Sequence, residues 1–92
     1  METFEVTYHP EVVKSDLPAI DTRWQYEILR AVEHKIMIRP HVFGKTLRQS
    51  LKGLRSLRVG NYRVVFEIHK KEVRIIAIVH RSTNYKGIEK RM

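Results

Sequence analysis

The chain has 92 residues and no cysteine, so it has the length of one small domain and lacks both a disulfide framework and a thiolate nucleophile. We therefore expect a single domain over residues 1–92. Its longest apolar run, residues 75–79, is too short to cross a bilayer, and the N-terminal residues lack an apolar core of signal-peptide length. These features predict a cytoplasmic protein without a membrane partner.

The charge of the chain is strongly positive and unevenly distributed. Eighteen Lys and Arg residues against ten Asp and Glu residues give a net charge of +8. Residues 1–44 hold five basic and seven acidic side chains, whereas residues 45–92 hold thirteen basic and three acidic ones. Such a basic half predicts a face that binds a polyanion. A solvated basic surface, or one masked by an acidic partner, would give the same composition.

The N-terminal half predicts one strand followed by two helices. Apolar and polar residues alternate over residues 3–9, which is the pattern of a half-buried strand. Pro10 suits the first turn of a short helix that Pro18 ends, and Asp21 or Thr22 suits the N-cap of a second helix. The second helix has an apolar stripe formed by Trp24, Ile28, Leu29, Val32 and Ile36. Two adjacent helices joined by a tight turn predict a helical hairpin.

The C-terminal half predicts an antiparallel sheet. Pro40 ends the second helix, and residues 41–53 then form a linker. Residues 54–59 and 62–69 are the first two strands, and a two-residue turn at residues 70–71 leads into a third. These elements predict an α+β fold, in which the helices lie on one side of an antiparallel sheet. The other face of the sheet is then free for binding.

The two-residue turn fixes a register for the last two strands. It pairs Ile68 with Val73, Phe66 with Ile75, Val64 with Ala77, and Tyr62 with Val79. It also places Glu67 opposite Arg74, which is a favourable pair of charges. Arg63 and His80 then lie together on the reverse face of the sheet.

Polar residues with suitable chemistry converge at one end of that sheet. They are Arg63, His80, Arg81 and Tyr85, joined by Lys52 and Arg58. The histidines lack metal-ligand spacing and no glycine-rich phosphate loop is present, so we expect no metal and no cofactor. A metal-free cationic site suits RNA cleavage, in which the 2′-hydroxyl attacks the adjacent phosphorus and arginines stabilise the developing charge. His80, Tyr85 or a lysine would transfer the protons.

Each of these residues also has a purely structural interpretation. Arg63 can pair with Glu67 along its own strand. His80 can simply end a strand, and Tyr85 can anchor the C-terminal segment by packing. The two lysines at residues 70–71 are typical of a solvated or partner-facing turn.

Two stretches of the sequence resemble a known family. The first is RVGNYRVVF, with Arg58, Gly60, Tyr62 and Arg63, and the second is the HRxxxY ending of His80, Arg81 and Tyr85. Together with the opening strand and the helices, they make the chain resemble the RelE/ParE superfamily of toxins from type II bacterial toxin–antitoxin modules. The resemblance implies a small twisted antiparallel β-sheet with two helices packed on one face.

The resemblance implies one of two toxic activities. RelE-like members cut mRNA in the ribosomal A site without a metal, and Arg63, Arg81 and Tyr85 match places that such members use. ParE-like members share the fold and inhibit DNA gyrase instead. The implied partners are a cognate antitoxin in both branches, with the ribosome and mRNA in the first and gyrase in the second. The sequence favours the ribonuclease, because the HRxxxY ending is intact.

The basic residues around this constellation are expected to bind the substrate: Lys52, Arg55, Arg58, Arg74 and Lys86. One position departs from the ribonuclease pattern, since Ser56 stands where such members tend to have lysine or arginine. Arg55 points to the other face of a regular strand and cannot replace that charge without a bulge. Lys52 and Arg58 are then the cations left to supply it.

Overall fold

A five-stranded sheet is the centre of the fold. The computed structural model describes residues 3–92, and its strand order is β1-β5-β4-β3-β2. The strands are β1 (Glu5–Tyr8), β2 (Lys45–Thr46), β3 (Leu54–Val59), β4 (Tyr62–His69) and β5 (Glu72–His80). The α+β class, the strands at residues 54–59 and 62–69, and the two-residue turn before β5 are confirmed. No helix within the described residues is both long and apolar enough to span a bilayer.

The sheet is mixed rather than wholly antiparallel. β1 pairs in parallel with β5, with Val6 opposite Val73, while the other neighbouring strands are antiparallel. The prediction of an antiparallel sheet is therefore wrong at β1, because alternation indicates a strand but not the direction of its neighbour. The strand β2 lies inside the predicted linker at residues 41–53, and two residues are too few to show an alternating pattern.

One long helix covers one side of the sheet, which we call the helix face. Helix α1 (Thr22–Ala31) begins at Asp21, whose Oδ1 accepts a hydrogen bond from the Arg23 N–H at 2.8 Å, as predicted for the N-cap. A π-type turn (Val32–Ile36) extends the helix. The core on this face joins Ile28, Val32 and Ile36 to Val64, Phe66, Val73, Ile75 and Ile78 of the strands.

The predicted N-terminal helical hairpin is not confirmed. Before α1 the chain forms a single π-type turn (Val12–Asp16), in which the Leu17 N–H donates to the Val12 carbonyl at 2.8 Å. Pro10 and Pro18 bound this short helical segment, as predicted, but they leave room for no more than about two turns, too few to form a hairpin with α1. Val12 is fully buried, so the turn still contributes to the helix-face core.

A bulge in β5 changes the predicted register. The pairs next to the turn are as predicted, including Glu67 opposite Arg74, but Ile76 is an extra residue. Beyond it the pairs are Val64 with Ile78, Arg63 with Val79, and Tyr62 with His80. Ile76 and Ala77 consequently both pack in a core on the other face. Residues 75–79 are all apolar and serve both faces, so alternation alone could not place this shift.

The reverse face, opposite the helix face, is covered in part. Its core consists of Leu51, Leu54, Val65, Ile76, Ala77 and Ile88. Two 3₁₀ turns, Gln49–Leu51 and the C-terminal Ile88–Arg91, supply residues to this core. The expectation of a wholly free face is therefore wrong where these turns pack, and a binding site must lie beside them.

An ion pair closes the edge of β5 beyond the end of β1. Arg91 Nη1 lies 2.7 Å from Asp16 Oδ2, and that oxygen also accepts the Ile78 N–H at 2.9 Å. Arg91 Nη1 donates in addition to the Ile76 carbonyl at 3.1 Å. The two side chains are only 22% and 12% exposed, and the hydrogen bond to Asp16 raises the pKa of Arg91. Polar backbone groups that β1 is too short to reach are thereby satisfied.

Asp16→Ala is expected to lower the free energy of unfolding by about 3 kcal/mol, because the Arg91 guanidinium and the Ile78 N–H lose their shared acceptor. Urea denaturation followed by circular dichroism measures this change. Asp21→Ala is the matched control, since it removes an exposed N-cap carboxylate and should cost about 1 kcal/mol. Equal losses in the two variants would contradict the importance given to the ion pair.

Candidate active site

Tyr85 lies at the centre of the candidate site, on the reverse face. Its hydroxyl oxygen accepts a hydrogen bond from Arg63 Nη1 at 3.0 Å, and its hydroxyl donates to Ser56 Oγ at 3.2 Å. The Arg63 guanidinium carbon lies 5.8 Å from the centre of the Tyr85 ring. Ser56 is only 8% exposed, and the other two residues are half-buried. The phenol is therefore held in a fixed place beside a positive charge.

Two neighbouring strands and the C-terminal segment bring these side chains together. Arg58 of β3 lies directly opposite Arg63 of β4, so both project to the reverse face, as does Ser56 two residues earlier. Tyr85 comes from the segment after β5, where the Ile88 N–H donates to its carbonyl at 3.3 Å. Ile88 is buried in the reverse-face core and thereby fixes the segment that carries Tyr85.

Tyr85 lines a cleft of about 610 Å³, which we call the cationic cleft. The other lining residues are Gly44, Lys45, Thr46, Leu47, Ser56, Leu57, Arg58 and Arg63. Three of the nine lining residues are cations and none is an acid, so the cleft suits an anionic ligand. Across residues 3–92, no group of three or more His, Asp or Glu side chains is arranged to hold a metal ion.

His80 does not join this site. The bulge at Ile76 turns it to the helix face, where its ring lies 5.4 Å from the ring of Tyr62 in an edge-on contact. His80 Nδ1 also lies 2.7 Å from Ser82 Oγ and accepts the Ser82 N–H at 3.1 Å. The prediction that His80 and Arg63 share the reverse face is therefore wrong, and the extra residue in β5 is the reason.

Three further predicted cations lie outside the cleft. Arg81 follows β5, and its N–H donates to the Asn61 carbonyl at 2.7 Å, which places it at the same end of the sheet as Arg63. Arg81, Lys86 and Lys52 are all exposed, and none of them is among the residues that line the cationic cleft.

Arg55 and Arg74 are engaged elsewhere. The regular pairing of β3 with β4 keeps Arg55 on the helix face, where its Nη2 donates to the His41 carbonyl at 2.9 Å. Arg74 lies 2.8 Å from Glu72 and 3.5 Å from Glu67, and the hydrogen bond with Glu72 raises its pKa. The structure thus brings neither arginine to the cleft, whereas the predicted Glu67–Arg74 pair is confirmed.

Lys45 and Thr46 are the polar lining residues that sequence reasoning missed. They form the whole of β2, and their only local signal is the glycine before them. Ser56 has a contact that its sequence position did not reveal, because it accepts the hydroxyl of a tyrosine 29 residues away.

Comparison with known proteins identifies the family. The family model for the ParE toxin of the type II toxin–antitoxin system parDE matches residues 10–85. The curated toxin RelE of Mycobacterium tuberculosis is 49% identical over 49 residues, which are 51% of this chain and 50% of that protein. The match thus spans about half the length of that curated relative.

Solved structures of such toxins share the fold. The toxin–antitoxin complex RelBE2 from Mycobacterium tuberculosis gives a TM-score of 0.79 at 26% identity, covering 86% of this chain and 99% of that chain. A mutant of the Escherichia coli toxin RelE in the free state gives 0.75 at 10% identity, covering 97% and 93%, and this likeness concerns the fold alone. Since the family model matches most of its length, the chain belongs to the ParE toxin family of type II toxin–antitoxin systems, within the RelE/ParE superfamily.

Proposed function

We propose that this toxin is a metal-independent, ribosome-dependent mRNA endoribonuclease. The observation that carries the proposal is the Tyr85 hydroxyl, held between Arg63 and Ser56 in a cleft whose charged side chains are all cations. The identity to the curated toxin RelE supports the ribonuclease branch of the superfamily.

In the proposed reaction, the 2′-hydroxyl of one nucleotide attacks the adjacent phosphorus. A 2′-O–P bond forms and the P–O5′ bond breaks, so the products are a 2′,3′-cyclic phosphate and a 5′-hydroxyl. Arg63 stabilises the charge on the phosphoryl oxygens, because a guanidinium acts more strongly in a partly desolvated cleft than in water. One proton leaves the 2′-oxygen and one reaches the 5′-oxygen, and Tyr85 exchanges a proton with one of these two atoms.

The exposed cations around the cleft bind RNA without taking part in the reaction. Arg81 and Lys86 flank Tyr85 in the chain, and Lys52 lies beside the turn Gln49–Leu51. Such residues contact backbone phosphates. These contacts position the mRNA strand and the ribosomal RNA around it without recognising the base sequence.

The proposed physiological partner is a cognate antitoxin. The structural relative RelBE2 is a toxin–antitoxin complex, which supports such a partner here. The thirteen basic and three acidic side chains of residues 45–92 would be neutralised by an acidic segment that folds on binding.

Gyrase inhibition is the second candidate function. Two observations favour it: the matching family model is that of the ParE toxin, and Ser56 stands where ribonuclease members tend to have a basic residue. An inhibitor of this kind needs a docking surface and no reaction. The cationic cleft would then contact a partner instead of cutting RNA.

Toeprinting on translating ribosomes with purified toxin tests the proposal. We expect new mRNA ends at the ribosomal A site, while supercoiling by purified gyrase stays unchanged at the same toxin concentration. Intact message together with blocked supercoiling would replace the ribonuclease by the gyrase inhibitor. Growth arrest with intact message and normal supercoiling would exclude both activities.

A further inference from the structure

Lys45 lies opposite Ser56 across the β2–β3 pair. The pairing is antiparallel, with Lys45 facing Ser56 and Thr46 facing Arg55. Directly opposite residues of such a pair project to the same face, with Cβ atoms about 5 Å apart. Lys45 therefore projects beside the hydroxyl that accepts the Tyr85 hydrogen bond, and it lines the cationic cleft.

The residues before β2 hold this short strand against β3. Gly44 has a φ of +88°, and a Cβ there would lie 3.1 Å from the Ser56 carbonyl oxygen and 3.2 Å from the Phe66 ring. Glycine thus permits a close approach that other residues would hinder. Arg55 Nη2 donates to the carbonyls of His41 at 2.9 Å and Gly44 at 3.3 Å, which fastens the loop leading into β2.

Each of the other two cations of the cleft already donates one hydrogen bond within the chain. Arg63 Nη1 donates to the Tyr85 hydroxyl, and Arg58 Nε donates to the Gly60 carbonyl at 2.9 Å. Lys45 is exposed, and no other residue of the described chain forms a hydrogen bond or ion pair with its side chain. An ammonium on a flexible stem, with three free donors, is well suited to a phosphate.

We propose that Lys45 binds a backbone phosphate of the RNA strand in the cationic cleft, next to the phosphate that reacts at Tyr85. This assignment rests on the proposed ribonuclease function and names a substrate-binding residue for it. Lys45 supplies the charge that holds the strand, whereas Arg63 and Tyr85 act on the reacting atoms.

Binding of a single-stranded RNA with 2′-O-methyl groups, measured at several salt concentrations, tests this residue, because that RNA cannot be cut. Lys45→Gln is expected to weaken binding about fivefold and to make the slope of log K against log salt shallower by about 0.7. Lys45→Arg should restore both values. Lys14→Gln is the matched control, since it removes the same charge from an exposed position outside the cleft.

Equal affinities and slopes for Lys45→Gln and Lys14→Gln would overturn the assignment. Cleavage of natural mRNA on ribosomes, measured in parallel, keeps the two proposals separate. If the wild-type toxin cuts and Lys45→Gln matches the control in every assay, only the assignment of Lys45 fails. If the wild-type toxin does not cut but Lys45→Gln still shows the shallower slope, the ribonuclease function fails and Lys45 remains an RNA-binding residue.

Discussion

Tyr85→Phe is expected to lower the rate of mRNA cleavage on the ribosome about 10²–10⁴-fold, which is the range for loss of a general acid or base. The substitution removes one oxygen and keeps the ring that packs against the reverse-face core. In the proposed reaction the phenol transfers a proton and does not bind the RNA, so KM should change little. Single-turnover cleavage at saturating toxin measures the rate directly.

Tyr26→Phe is the matched control for this substitution. Tyr26 is 60% exposed on α1, and its ring centre lies 5.7 Å from the Arg30 guanidinium, so it is also a tyrosine beside an arginine. It does not line the cationic cleft, and its variant should cut at the wild-type rate. Equal cleavage rates for the two variants would reduce Tyr85 to an anchor of the C-terminal segment.

The elements that the sequence predicts well are those determined by neighbouring residues. The alternation in β4 and the N-cap at Asp21 depend on side chains within a few positions of one another. The direction of β1 and the bulge at Ile76 depend on distant strands instead. Residues 75–79 would be apolar in either register, so only packing against both cores decides which of them face the helix.

The same distinction between local and distant contacts explains which site residues the sequence predicted correctly. Arg63 and Tyr85 meet as expected, although 22 residues separate them, because the end of β5 returns the chain to that end of the sheet. His80 is on the opposite face because a single extra residue inverts every position after it. Lys45 could not be found from the sequence, since β2 depends on the contacts of Gly44 and Arg55 with distant residues.

The structure gives Ser56 a role that differs from the interpretation of its position in the sequence. In the sequence it stands where the resemblance to ribonuclease members leads us to expect a basic residue. In the structure its Oγ accepts the Tyr85 hydroxyl, and a lysine projects from directly across the strand pair. The cleft therefore has a positive charge beside Ser56, supplied by Lys45, while the serine orients the Tyr85 phenol.

Arg63→Gln is expected to lower the cleavage rate about 10²–10³-fold, which is typical for removal of one donor that stabilises the transition state. Arg63 donates to the Tyr85 hydroxyl, and in the proposed reaction it also presents charge to the phosphoryl oxygens. Glutamine keeps a neutral donor, whereas lysine keeps the charge and loses the planar fork. Arg63→Lys should therefore retain more activity than Arg63→Gln if charge on the phosphate is the larger contribution.

Arg74→Gln is the control for Arg63→Gln, because Arg74 lies on the neighbouring strand about 13 Å further along the sheet and is engaged by Glu72 and Glu67. It should leave cleavage unchanged. The Tyr85 hydroxyl keeps Ser56 as a partner in every Arg63 variant, so a loss of rate there reports the missing charge rather than a displaced phenol. If Arg63→Gln and Arg74→Gln cut equally fast, Arg63 contributes nothing to the cleavage rate, and the reacting phosphate must be stabilised by another cation of the cleft.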